Sequence, residues 1–252
     1  MPFKKILQQS QIKAIANSHA TARQLNSEEG KVHVVYNGLD ETVFFPQSNR
    51  HFNEKLGLDP KTAIVGMLGV LARWKGQLEF IRMAKMLFDS GHDVHFVIIG
   101  DEIYDTSGES GFKTELINEV KKLKMEDRIH FWGFVDNSSF ALNGLDILVH
   151  ASIKPEAFGR VILEAMACAL PVAASADGGV LELIEDGVTG LLFQPGQVEF
   201  MARQVSRLLQ NPDLRQTLSR NALNRFKKYF TIDRHVDQVI QIYDEIFSEI
   251  KS

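Results

Sequence analysis

An α/β fold of the Rossmann-like class, a parallel sheet with helices on both faces, is what three features of the chain predict. From Thr62 onward, short β-rich runs alternate with longer helical patterns, the order a parallel sheet requires. Six such runs occur, the strand count of a Rossmann-like half: AIVGMLG (63–69), DVHFVIIG (93–100), RIHFWGF (128–134), DILVHAS (146–152), LPVAASA (170–176) and TGLLF (189–193). Between the first two, Leu78, Ile81, Ala84 and Phe88 recur at helical spacing and Gly91 marks a stop, which reads as a crossover helix.

Later helices are announced by their starts. Asn211-Pro212-Asp213 opens one, and Thr231-Ile232-Asp233 opens the last, whose Val236, Val239, Ile240, Tyr243, Phe247 and Ile250 form an apolar stripe. Residues 1–45 stand apart from this alternation, with a strand-like IKAIANS, a helical ATARQLNSEE and a second strand KVHVVYNG, before a turn-rich stretch from Pro46 to Arg50. The expected division is therefore 1–45 and 46–252.

The bulk composition excludes several classes. The 252 residues suffice for one large α/β domain, and 44% hydrophobic with 24% charged residues is an ordinary globular balance. A formal net charge of -4 gives no reason to expect a nucleic-acid partner. Cys168 is the single cysteine, which rules out an internal disulfide and a cysteine-based zinc site, and its place in AMACAL suggests a small buried side chain. The opening MPFKKILQQSQ lacks the apolar centre of a signal peptide and no long apolar run suggests a membrane span, so a cytoplasmic location is the expectation. The eight histidines include no His-x-x-x-His or His-Glu-x-x-His, and no metal site is expected.

Residues 154–196, KPEAFGRVILEAMACALPVAASADGGVLELIEDGVTGLLFQPG, carry the strongest functional signal. Glu156 and Glu164 flank a helix start, one before it and the other about two turns inside. Gly159 lets a ligand approach the backbone, and free amides at the helix start attract an anion. Phe131, Trp132 and Phe134 are an aromatic strand that reads mainly as core, although such rings also stack on bases. Lys121, Lys122, Lys124, Arg220, Arg225, Lys227 and Lys228 read as solvated helix faces.

The Glu-x7-Glu pair running into A-M-A-C-A-L-P-V, followed by G-G-x-x-E-x-x-x-D-G-x-T-G-L-L-F, resembles the donor-sugar motif of retaining GT-B glycosyltransferases. V-V-Y-N-G-L-D (34–40), W-K-G (74–76), V-I-I-G-D (97–101), H-F-W-G-F-V (130–135) and D-I-L-V-H-A-S extend the likeness over about residues 10–230. That resemblance implies the C-terminal half of a GT-B fold, binding a nucleotide-diphosphate sugar and transferring its glycosyl unit to an acceptor hydroxyl with retention of configuration, without metal or cofactor. It assigns Glu156 to hydroxyls of the donor sugar and Glu164 to the ribose. The backbone at Phe158, Gly159, Arg160 and Val161 is assigned to sugar and diphosphate, and that at Gly133, Phe134 and Val135 to the nucleobase.

The family pattern Gly-Arg-x4-Lys-Gly is met by Gly69 and Lys75, but Val70 holds the arginine position. Arg73 is either a replacement that reaches the same phosphates or an ordinary surface residue. The expected catalytic set is thus Glu156, Lys75 and Arg73. Residues 1–45 resemble the end of an N-terminal, acceptor-binding domain and its linker, so the rest of that domain is an implied partner. The implied acceptor is a sugar, a polysaccharide or a lipid-linked glycan, the last bringing peripheral membrane contact.

The competing reading is a non-catalytic nucleotide-sugar-binding module or regulatory half. A hydrolase would need two carboxylates flanking one bond, which this spacing fits poorly. A nicotinamide enzyme would need a glycine-rich first turn that Gly66 and Gly69 do not make.

Overall fold

The computed structural model describes residues 13–25, 31–102 and 111–251, with side chains to Glu249; the opening MPFKKILQQSQ and the end of ATARQLNSEE lie outside them. After β1 (Ala14–Ala16) and β2 (Val32–Val34), which belong to a smaller layer, six strands form one sheet: β3 (Ala63–Leu68), β4 (Val94–Ile99), β5 (Ile129–Gly133), β6 (Ile147–His150), β7 (Val172–Ser175) and β8 (Leu191–Phe193). Their spatial order is β5-β4-β3-β6-β7-β8 and every pairing is parallel. All six predicted runs are therefore strands of one parallel sheet.

Alternate strand residues feed two cores, as the period of two in an extended chain requires. On one face Val65, Met67, Phe96 and Val149 meet helices Gln77–Asp89 (α3), Phe112–Lys122 (α4) and Val198–Gln210 (α8). On the other, Ile64, Val97, Leu148 and Ala174 meet His51–Leu56 (α2), Ser138–Asn143 (α5), Arg160–Ala167 (α6), Val180–Leu183 (α7) and Pro212–Tyr229 (α9). Asn211 caps α9 by accepting from the Leu214 amide, with Pro212 in the first turn where its missing N–H is harmless. In α3 the inward face is Phe80, Ile81, Met83, Ala84 and Leu87, while Phe88 is exposed, so the predicted stripe is rotated by about one position.

The smaller layer pairs β1 (Ala14–Ala16) with β2 (Val32–Val34), again in parallel, and helix α1 (His19–Leu25) lies between them in sequence. The last helix, α10 (Ile232–Lys251), returns to this layer: His235 Nδ1 meets the Tyr36 carbonyl at 2.8 Å and Lys13 pairs with Glu249 at 2.7 Å. Its buried side is Thr231, at the helix entrance, and Ile242. Most of the predicted stripe faces outward instead: Val236, Ile240, Tyr243 and Phe247 are exposed, Val239 is half-buried, and Ile250 lies outside the described side chains.

Cys168 follows α6 and is buried, as expected. Burial pushes its thiol up to about 11, against weak hydrogen bonds from Ser139 and Asn143. Because the thiolate is the nucleophile, native protein at pH 8 should resist iodoacetamide and alkylate only in denaturant. Rapid labelling of native protein would contradict this burial.

Candidate functional site

The sheet's strand order reverses between β3 and β6: the chain moves outward through β4 and β5 on one side, then through β7 and β8 on the other. Beyond the carboxyl ends of two such strands their loops diverge and leave a crevice. The polar cluster of this chain gathers there.

Two loops form its walls. After β3, Gly69 accepts a close approach from Gly100, where a side-chain carbon would sit 1.9 Å from the Gly69 carbonyl oxygen. The chain then makes a short 3-10 turn, Arg73–Lys75, closed by Gly76 with φ 82°. Gly76 rests on the end of β6, since a Cβ there would lie 2.0 Å from the Ala151 carbonyl oxygen. That contact brings Lys75 across to the segment after β6, where its ammonium pairs with Glu156 and lies 4.2 Å from the Trp74 ring centre.

Glu156 receives more than Lys75. Ser152 Oγ donates to its Oε1 at 3.0 Å, and His150 Nε2 lies 3.3 Å from the same oxygen. Burial alone would raise this carboxyl, but the hydrogen bond from His150 and the Lys75 charge outweigh it and bring it down to about 2. Glu156 is therefore a fixed anion at neutral pH, unable to supply a proton. The loop carrying it is clamped from both sides. Gly179 donates its amide to the Glu156 carbonyl at 2.8 Å, while Ser18, fully buried, donates to the Ala157 carbonyl at 2.5 Å.

Glu156 lies before helix α6, as the spacing predicts. Gly159 is its N-cap in the left-handed region (φ 92°), no side chain caps it, and Arg160 is the first helical residue. Glu164 consequently sits in the second turn, nearer the helix start than the two turns predicted, because the loop 155–158 is non-helical and bends back against Gly178. Glu164 is buried, which raises its carboxyl, while Arg160 opposes that rise with a hydrogen bond at 3.0 Å. Phe158 is a core side chain stacked on Tyr36, so it and Gly159 offer only backbone to the crevice side. Val161 is half-buried against the α6 core.

The remaining predicted residues divide. Gly133 (φ 81°) ends β5 at a register shift and bridges Gly100, placing its loop at the same crest of the sheet. Phe131 and Trp132 pack on the core, but Phe134 is 61% exposed and does not belong to it, and Val135 is half-buried. Arg73 turns toward α4, pairing with Glu115 at 2.6 Å and lying over the Phe112 ring at 4.8 Å. Val70 offers its carbonyl to Gln77. Arg225, expected to be solvated, instead donates to the Leu183 and Glu182 carbonyls, while Lys121, Lys122, Lys124, Arg220, Lys227 and Lys228 are exposed as expected. His150 was not singled out by sequence reasoning. Its signal was a histidine inside an otherwise apolar strand run, followed two residues later by a serine.

Among the described residues no group of three or more His, Cys, Asp or Glu side chains is placed to hold a metal, and no helix is long and apolar enough to cross a membrane.

A doubly wound parallel sheet with charged loops converging at its switch point defines a Rossmann-like α/β protein, matching GT-B glycosyltransferase structures. Residues 48–225 match the family described as "Glycosyl transferases group 1", and the chain belongs to that family. Among its relatives is the N-acetyl-alpha-D-glucosaminyl L-malate synthase of Bacillus anthracis, 28% identical over 88% of this chain and 55% of that protein. A solved structure of Anabaena Alr3699/HepE in complex with UDP and glucose superposes with a TM-score of 0.84 at 29% identity, covering 92% of this chain and 62% of that one. The C-terminal domain of the Francisella tularensis group 1 protein LpcC is 31% identical, with a TM-score of 0.66 over 77% of this chain and all of that one. The chain thus spans about half the length of the curated relatives it matches.

Proposed function

We propose that this chain is the donor-binding half of a retaining glycosyltransferase, taking a nucleotide-diphosphate sugar in the switch-point crevice and passing its glycosyl unit to an acceptor hydroxyl. The observation that carries the reading is the ion pair of Lys75 with a Glu156 ionised at neutral pH, beside the uncapped start of α6. Glu156 accepts from sugar hydroxyls and Glu164 from the ribose, since carboxylates bind paired hydroxyls by charge-assisted bonds. Lys75 and the amides of Arg160 and Val161 neutralise the diphosphate as the glycosidic bond breaks. The Gly133–Val135 backbone meets the base. Glu156 acts as no acid, consistent with a front-face reaction in which the leaving phosphate assists removal of the acceptor proton.

In this reading the β1–β2 layer belongs to the acceptor-binding domain, and residues 1–45 are its last part and linker. UDP and glucose are bound in the Anabaena relative, which superposes over 92% of this chain, and that makes UDP the first nucleotide to try. The acceptor is a sugar, polysaccharide or lipid-linked glycan, and the enzyme works in the cytoplasm. A specific observation favours a second reading, a non-catalytic binding module: Val70 carries no charge and Arg73 is held by Glu115, leaving Lys75 as the cation at Glu156.

Calorimetric titration with UDP, GDP and ADP, and with their sugar conjugates, tests the reading. Saturable binding to one of the series is expected. Glu164→Ala should weaken it about tenfold, as loss of a charge-assisted hydrogen bond does, while leaving thermal stability near that of the wild type, because burial of the Glu164 carboxylate opposes its ionised form. Unchanged affinity in that variant would remove the ribose assignment.

A further inference from the structure

Lys75, Ser152 and His150 all converge on one oxygen of Glu156, Oε1. Among the described residues, Oε2 has no hydrogen-bond or ion-pair partner. A carboxylate is thereby held with one face saturated and the other presented. His150 is 4% exposed at the end of β6. Its Nδ1 lies 3.3 Å from Ser175 Oγ, on the last residue of the neighbouring strand β7, and its Nε2 lies 3.3 Å from Ser152 Oγ as well as from Glu156.

The protonation pattern follows from what each partner can do. A neutral imidazole has one donor and one acceptor nitrogen, and an ionised carboxylate can only accept. The nitrogen facing Glu156 must therefore carry the proton. Ser152 uses its hydroxyl hydrogen on Glu156, so toward His150 it too can only accept. Nδ1 is left as the acceptor, and the Ser175 hydroxyl is the donor that satisfies it. Ser175 thus selects the tautomer, and His150 aims its N–H at Oε1.

We propose that His150 is a positioning residue for the donor sugar, fixed by Ser175 as its Nε2–H tautomer so that it ties Glu156 Oε1 and turns Oε2 toward a sugar hydroxyl. This rests on the donor-site reading above, and it gives that site a selectivity device behind the ligand contact: the sugar is read by Glu156, and the carboxylate's orientation is read by the strand ends.

Two measurements test it. Ring nitrogen chemical shifts of His150 in the ligand-free wild-type protein should report a proton on Nε2; a ring protonated at Nδ1 alone overturns the proposal whatever the ligand. Next, His150→Leu and His150→Gln are titrated with UDP and with UDP-glucose, beside Glu156→Ala. The leucine variant should lose about tenfold in the affinity that glucose adds, as expected for one hydrogen bond to a charged group, with UDP affinity unchanged. The glutamine variant, whose amide nitrogen can still donate to Glu156, should recover most of it. Equal losses for UDP and UDP-glucose, or a glutamine variant no better than leucine, overturn the proposal. If Glu156→Ala abolishes the glucose increment while His150→Leu keeps it, only the positioning role falls. If Glu156→Ala keeps it as well, the donor-sugar assignment falls too.

Discussion

Glu156→Ala is expected to reduce affinity for the nucleotide sugar about tenfold to a hundredfold while sparing the nucleoside diphosphate far more. The removed carboxylate would make charge-assisted bonds worth about 1.5–3 kcal/mol to the sugar alone. The same substitution strips Lys75 of its counter-ion, and breaking a pair with both members largely buried destabilises by about 3 kcal/mol; the two side chains here are 18% and 12% exposed. The pH dependence has a definite sign. The folded carboxyl titrates near 2, below the 4.5 of an ordinary glutamate, so the fold favours its ionised form. That contribution is complete above about pH 4.5 and is lost as the pH falls toward 2. Denaturant unfolding of wild type and Glu156→Gln at pH 7 and pH 3 should show the stability gap narrowing on acidification. A gap of constant size would mean that the environment of Glu156 has been misjudged.

Gly178→Ala should strongly destabilise the fold around Glu156. Gly178 has φ 60°, and a Cβ placed there would lie 2.2 Å from the Glu156 carbonyl oxygen and 2.9 Å from its nitrogen. Both obstacles are backbone, so no rotamer change relieves them. Left-handed strain of about 1–3 kcal/mol and overpacking of a similar size combine to about 3–5 kcal/mol, or a fall in Tm of roughly 10 °C for a domain of this size. Gly187→Ala is the control, because Gly187 has φ 73° but open space around its Cβ position. It should show the dihedral strain without the collision. A Gly178→Ala protein that melts with the Gly187→Ala protein and still binds donor would show that the Glu156 loop is not held against the Gly178–Gly179 turn.

The sheet was readable because its strands are apolar runs bounded by helical patterns, and all six emerged as parallel neighbours. Glu156 and Gly159 were readable as candidates because they sit in a dense local motif, and Lys75 through the separate Trp-Lys-Gly at 74–76. What sequence reasoning missed depends on contacts between distant segments. His150 looks like one more strand residue until β7 places Ser175 at its Nδ1 and the following loop folds Glu156 back onto its Nε2. Arg225 looks like part of a basic helix face until the end of α7 offers it two carbonyls. Glu164 lies in the second turn of α6 and not two full turns inside it, because the helix opens only after Gly159 and the loop before it packs against Gly178. The stripe on α10 was correctly seen as apolar; periodicity says that a helix has an oily side, and its neighbours decide which way that side turns.

The return of α10 to the β1–β2 layer also sets a timetable for folding. His235 and Tyr36 are 199 residues apart in the chain. At ribosomal rates of about 5–20 residues per second, the nascent polypeptide waits roughly 10–40 s between making β2 and making the helix that covers it. The six-stranded body can close in that interval, since its strands pair largely with sequence neighbours. The docking of α10 on the small layer comes only afterwards, as a late and separate step.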